Sequence, residues 1–140
     1  MKKHIKGFAL AAAAVFGLAA CGGSSSTETT EAAGGEYDNL KVAVVYIGVP
    51  GDAGYTYQHD QGIAALEAEL GVSVTRLENI PEGAESTATF DQLAAEGYNL
   101  IFGTSFGYMD PMLEVSGKYT DKCFLHATGY KTSPNLGTYF

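Results

Sequence analysis

The stretch from Tyr46 to Gly62, YIGVPGDAGYTYQHDQG, gathers groups able to hold a small flat molecule: the Asp52 carboxylate, the Tyr55 and Tyr57 rings, and a His59-Asp60 pair. A carboxylate accepts hydrogen bonds from an amino group, a ring N–H or a ribose hydroxyl. An aromatic side chain offers a stacking platform worth about 1–3 kcal/mol per base. Gly51 and Gly54 let backbone groups approach a ligand edge. A second cluster, Gly103 to Tyr108 (GTSFGY), supplies Ser105, Phe106, Gly107 and Tyr108. His126 reads either as a hydrogen-bonded structural histidine or as a ligand contact, and Tyr57 either as a contact or as a packing residue at a helix start. His59 and Asp60 look like an acid-base or metal pair, but adjacent helical positions point about 100° apart, so solvated or capping roles are expected. Met109 and Met112 are expected in the core and Lys131 on the surface.

An enzyme would need more than this. Asp52, His59 and His126 offer acid-base groups for an N-glycosidic cleavage, but the chain has no nucleophile elbow and no metal-ligand spacing. Gly51-Asp52-Ala53-Gly54 lacks the G-x-G-x-x-G phosphate loop. The expectation is therefore a binding protein with no cofactor and no metal.

The elements that must position these residues alternate. Lys41 to Ile47 (KVAVVYI) is a β-branched run suited to a central parallel strand covered on both faces. Ile63, Leu66 and Leu70 define one face of a helix over 57–70, with Gly71 as its stop. A second strand is expected at 72–77, near a sheet edge, and a second helix at 84–96 with Phe90, Leu93 and Ala94 inward. A third strand at 99–103 leads to a helix that starts with Asp110 as N-cap before Pro111 and runs to about Lys118. A fourth strand covers 122–126, where Cys123 is expected as a buried, inert thiol. Short connections in the order βαβαβαβ imply an α/β fold, a parallel doubly wound sheet with right-handed crossovers. Residues 127–140, Gly-rich and aromatic, are expected to add no helix, leaving either an open C-terminal edge or a fragment of a longer protein.

Before the folded region, residues 1–20 have the basic start and apolar middle of a secretory signal, too short to span a membrane. Leu18-Ala19-Ala20-Cys21 resembles the bacterial lipobox. That resemblance implies cleavage before Cys21 and acylation of its thiol, placing the protein on the extracytoplasmic face of the cell membrane. Residues 21–39 (CGGSSSTETTEAAGGEYDN) offer almost nothing apolar to bury and form a flexible linker. Residues 40–140 are then expected to form an incomplete N-terminal α/β lobe. The chain has 2 Cys, so a lipidated Cys21 leaves Cys123 without an intrachain partner. Three of the 8 basic residues lie in the signal, so 5 remain against 16 acidic ones and the net charge moves from −8 to about −11. Such an acidic surface excludes nucleic acid as a natural partner.

Three motifs, GDAGYTYQHDQG, FGTSFGYMDP and HATGYKTSPNLGTYF, resemble at their spacings the basic membrane protein family of solute-binding lipoproteins that feed ABC importers. The resemblance covers residues 40–140. It implies a type I periplasmic binding protein fold, of which this chain holds part of the first lobe. It also implies a purine nucleoside or nucleobase ligand and ABC permease subunits as partners. Family members have an acidic residue in the first strand-to-helix loop with an aromatic three positions later, matching Asp52 and Tyr55; many have Phe or Trp where this chain has Tyr55. Ser105, Phe106, Gly107 and Tyr108 match the family's second aromatic contact. Two alternatives stay open from the residues alone: a nucleoside-acting hydrolase, and a sensory receptor that presents its ligand to a membrane kinase.

Overall fold

The computed structural model describes residues 37–140, so the signal, Cys21 and nearly all of the linker lie outside the described residues. The strands are β1 (Val42–Val45), β2 (Val74–Leu77), β3 (Leu100–Gly103), β4 (Cys123–Ala127) and β5 (Leu136–Tyr139). All pair in parallel in the order β2-β1-β3-β4-β5. Three helices connect them: α1 (Tyr55–Leu70), α2 (Ala84–Ala95) and α3 (Met109–Lys118).

Alternation along β1 explains the two layers. Ala43 and Val45 join Phe90 and Leu93 of α2 and Met112 and Val115 of α3 in one apolar cluster. Val42, Val44 and Tyr46 join Ile63 of α1 in the other. Every residue from Val42 to Tyr46 is fully buried, which is what a β-branched run without polar alternation requires. Met109 and Met112 are buried, as expected, and β2 is the edge strand.

Where the fold departs from the expectations, the causes are local. The C-terminal stretch holds a fifth strand. Its crossover from β4 needs no helix because the Asn135 side-chain amide lies 2.9–3.1 Å from the carbonyl oxygens of Ser116, Tyr119 and Lys122, tying the connection to the end of α3. Helix α3 begins at Met109, continuing a 3-10 turn over Phe106–Tyr108. With Tyr108 already in helical conformation there is no break for Asp110 to cap, and its carboxylate pairs with the Lys131 ammonium instead. Cys123 is exposed rather than buried, because it opens β4 and the buried side chains of that strand begin only at Phe124.

Asp60 neither caps nor stands free in solvent. It accepts hydrogen bonds from the buried Tyr46 hydroxyl (3.0 Å) and from Arg76 Nε (2.6 Å), while the other arm of Arg76 meets Glu67 at 2.8 Å. The guanidinium fork thus ties α1 to the edge strand through two carboxylates about two turns apart on the helix. Beside α1 the same sheet face leaves an apolar groove of about 510 Å³ between Ile63, Leu66, Phe102, Leu125, Tyr139 and Phe140. Among the described residues no helix is long and apolar enough to cross a membrane.

Candidate functional site

In the order β2-β1-β3-β4-β5 the chain leaves β1 toward one side of the sheet and β3 toward the other. The carboxyl ends of these neighbours, where Val45 faces Gly103, are the topological switch point at which open α/β sheets bind ligands. The two loops that depart there carry the residue clusters singled out above.

In the β1 loop, Asp52 holds the start of α1. Its Oδ1 accepts the Gly54 (2.8 Å) and Tyr57 (3.0 Å) N–H groups, and its Oδ2 accepts that of Thr56 (2.9 Å). Helix α1 therefore starts two residues earlier than expected, at Tyr55, with its first amides satisfied by a carboxylate. Backbone N–H groups from Gly54, Thr56 and Tyr57 hold the Asp52 pKa at about 2, below the unperturbed 3.8. A depressed carboxylate pKa stabilises the fold above the unfolded value and loses that contribution as pH falls through the folded one. Asp52→Ala is expected to lower the melting temperature at pH 7, with the gap to the parent closing between pH 3.8 and about 2. Calorimetric melts across that range check it; a gap independent of pH would remove the carboxylate from the helix start.

Tyr55 and Tyr57 are 45% and 40% exposed but diverge, since residues two apart on a helix project roughly 200° apart. Tyr55 shares a face with His59, edge to face at 4.6 Å, and His59 meets Tyr139 at 6.1 Å. His59 is half-buried among these rings, which pushes its pKa down. His59 and Asp60 thus serve different neighbourhoods and form no acid-base pair.

The β3 loop is shaped by a residue the sequence reading missed. Glu82, from the turn after β2, accepts the Ser105 hydroxyl (2.5 Å) and the Gly107 N–H (3.1 Å). A Cβ on Gly107 would lie 2.1 Å from the Glu82 carboxyl carbon, so a larger residue there would push this carboxylate out of its present position. Ser105 and Gly107 spend polar hydrogens on Glu82, and Phe106 between them is turned outward, 56% exposed. The signal for Glu82 was a lone acid in a turn, with no spacing to separate it from a solvated one.

Tyr108 and His126 are not brought to the open edge. Tyr108 is fully buried, edge to face with Phe90 at 5.3 Å, its hydroxyl donating to the Ile80 carbonyl. His126 is fully buried behind the β3 loop, with Nε2 2.6 Å from the Ser105 carbonyl oxygen. Burial holds its pKa down. Both therefore support the loop from within, because the core needs the Tyr108 ring and β4 turns the His126 side chain inward.

Strain collects at this edge. Ala53, Asn79 and Thr128 have positive φ of 53°, 56° and 66°, and they lie in the loops after β1, β2 and β4. Left-handed non-glycine residues cost of order 1–3 kcal/mol each and persist where the surroundings over-determine them, commonly at ligand sites. The apolar groove beside α1 is a different place: it lies against the sheet face and is lined mainly by apolar side chains.

An open parallel sheet with two loops leaving its switch point is the arrangement at which α/β folds place small-molecule sites. A solved ABC transporter solute-binding protein from Conexibacter woesei shares the fold, with a TM-score of 0.64 over 71% of this chain and 34% of that one at 21% identity. Residues 39–140 match the family of PnrA-like ABC transporter substrate-binding proteins, and the chain belongs to that family. It is similar to a purine-binding protein of Brucella abortus, 51% identical over 104 residues, which are 73% of this chain and 30% of that one. It is also similar to a candidate ABC transporter glucose-binding protein of Haloferax volcanii, 38% identical over 117 residues, 83% of this chain and 30% of that one. The chain spans about 30% of the length of these relatives. Family members are substrate-binding proteins rather than enzymes.

Proposed function

We propose that this chain is part of the first lobe of a lipid-anchored, extracytoplasmic receptor that captures a purine nucleoside or base and delivers it to the permease subunits of an ABC importer. The observation that carries this is the exposure of Tyr55 and Phe106 on the two loops leaving the switch point, each beside backbone held by a carboxylate. Large aromatics exposed on preorganised loops gain more from a flat ring than from water. The 51% identical relative named as purine-binding supports the same ligand class. Asp52 and the Ser105–Gly107 loop would then face the polar edge of the ring, and Tyr57 would border the site from the first turn of α1. Tyr108 and His126 would act from beneath.

Titration of the chain with adenine, adenosine, guanosine, inosine and glucose, followed through its aromatic ring resonances, tests this. Purines are expected to move the Tyr55 and Phe106 rings and glucose to leave them unmoved. No purine response overturns the reading, and a response to glucose alone transfers the site to sugars, in line with the Haloferax relative's name.

The anchor is a separate expectation. Expressed with residues 1–20 intact, the chain should partition to the membrane through acyl chains on Cys21, at about 0.8 kcal/mol per buried methylene. Cys21→Ser should release it or leave it unprocessed, and equal retention of both forms after a high-salt wash would remove the lipid from the account.

A further inference from the structure

We propose that Tyr130 is a ligand contact of this site, forming with Phe106 an aromatic notch across the loops that follow β3 and β4. The inference rests on the purine reading above and adds a residue and a geometry to it. Tyr130 is 71% exposed, more than Phe106 or Tyr55. Its ring centroid lies 6.4 Å from that of Phe106, at an interplanar angle of 45°. Rings at that separation are already within contact range of each other. A planar ligand cannot slide between them; it lies across the notch, stacked on one ring with its rim toward the other. The Tyr130 hydroxyl then offers that rim both a donor and an acceptor.

An exposed ring on a loose loop would spend its stacking energy on ordering, but this loop is held on both sides of Tyr130. The Thr128 N–H donates to the Tyr139 carbonyl at 2.8 Å, and the Lys131 ammonium pairs with Asp110 on α3. Between them Gly129 lies flat against the His126 imidazole, where a Cβ would come within 1.9 Å of Nδ1. His126 is thereby wedged between Ser105 and Gly129, the residues that immediately precede Phe106 and Tyr130. The Ser105 carbonyl can only accept, so Nε2 carries the proton and Nδ1 keeps its lone pair, buried and without a partner among the described residues. The imidazole is retained there as a rigid spacer: it is a positioning residue that sets the distance between the two aromatic loops and does not itself reach the ligand. Held in this way, the notch is ordered before any ligand arrives.

The test compares adenine titrations, by ring resonances, of the chain and its Tyr130→Ala, Tyr130→Phe and Gly129→Ala variants. Tyr130→Ala is expected to weaken adenine binding about ten- to a hundredfold without changing the melting temperature, and Tyr130→Phe to recover most of that loss. Gly129→Ala, which drives the His126 ring and the loop apart, should abolish the nuclear Overhauser contact between Phe106 and Tyr130 and weaken adenine to a similar degree. If Tyr130→Ala binds like the parent while Phe106→Ala loses affinity, the notch is overturned and the purine reading stands. If Gly129→Ala keeps both the ring contact and the affinity, the spacer role of His126 is overturned. Absence of any adenine response in the parent overturns the purine reading, and the Tyr130 contact with it.

Discussion

Tyr108→Ala is expected to lower the unfolding free energy by about 3–5 kcal/mol, the loss typical of removing a fully buried aromatic side chain. In a domain whose total stability is about 5–15 kcal/mol, that is from about a fifth of it to all of it. The ring fills the space between the 3-10 turn and Phe90, and the Ile80 carbonyl it bonds belongs to the loop that also ties back to Tyr46 through the Ile80 N–H. Tyr108→Phe keeps the ring and removes one hydrogen bond, so it should cost about 1 kcal/mol, plus whatever the unpaired Ile80 carbonyl loses. Urea unfolding of the two variants checks the contrast. A stable Tyr108→Ala protein with impaired ligand response would return Tyr108 to the binding surface.

Two residues earlier the expectation reverses. Phe106→Ala, and likewise Tyr55→Ala, should leave stability within about 0.5 kcal/mol of the parent, as for exposed positions away from special contacts. Each should weaken purine binding by about 1–3 kcal/mol, roughly ten- to a hundredfold. Tyr55 carries a qualification of mechanism, because its ring also covers half-buried His59 at 4.6 Å. Tyr55→Phe should therefore retain both the packing and the stacking. Urea melts beside adenine titrations separate the two effects; a loss of stability equal to the loss of binding would place these rings in the core.

The opposite fates of Phe106 and Tyr108 show what a motif can carry. Both are aromatics of one short stretch, Phe106-Gly107-Tyr108, and both were read as contacts. Composition identifies the stretch as aromatic and turn-like, but which ring faces outward depends on the 3-10 turn into which the loop tightens. That turn is held by Glu82, twenty-three positions before Ser105 and twenty-five before Gly107, which accepts from both. The same holds for Asp52. Its residue type marked it as a site acid, while the three amides that occupy it became visible only when the backbone turned back on the carboxylate.

The sequence by itself determined the parallel α/β plan, the places where strands and helices alternate, and the two loops at the switch point. These rest on local quantities: the β-branched run of β1, the helical spacing of Ile63, Leu66 and Leu70, and glycines such as Gly71 at a φ of 67°. Only the tertiary structure decided the fifth strand, the burial of Tyr108 and His126, the exposure of Cys123, and the meeting of Phe106 with Tyr130. Each of those depends on contacts between residues distant in the chain, such as the Asn135 amide on the end of α3 or the imidazole between Ser105 and Gly129. A periodicity registers which residues want to be buried; it holds no record of which distant partner will bury them.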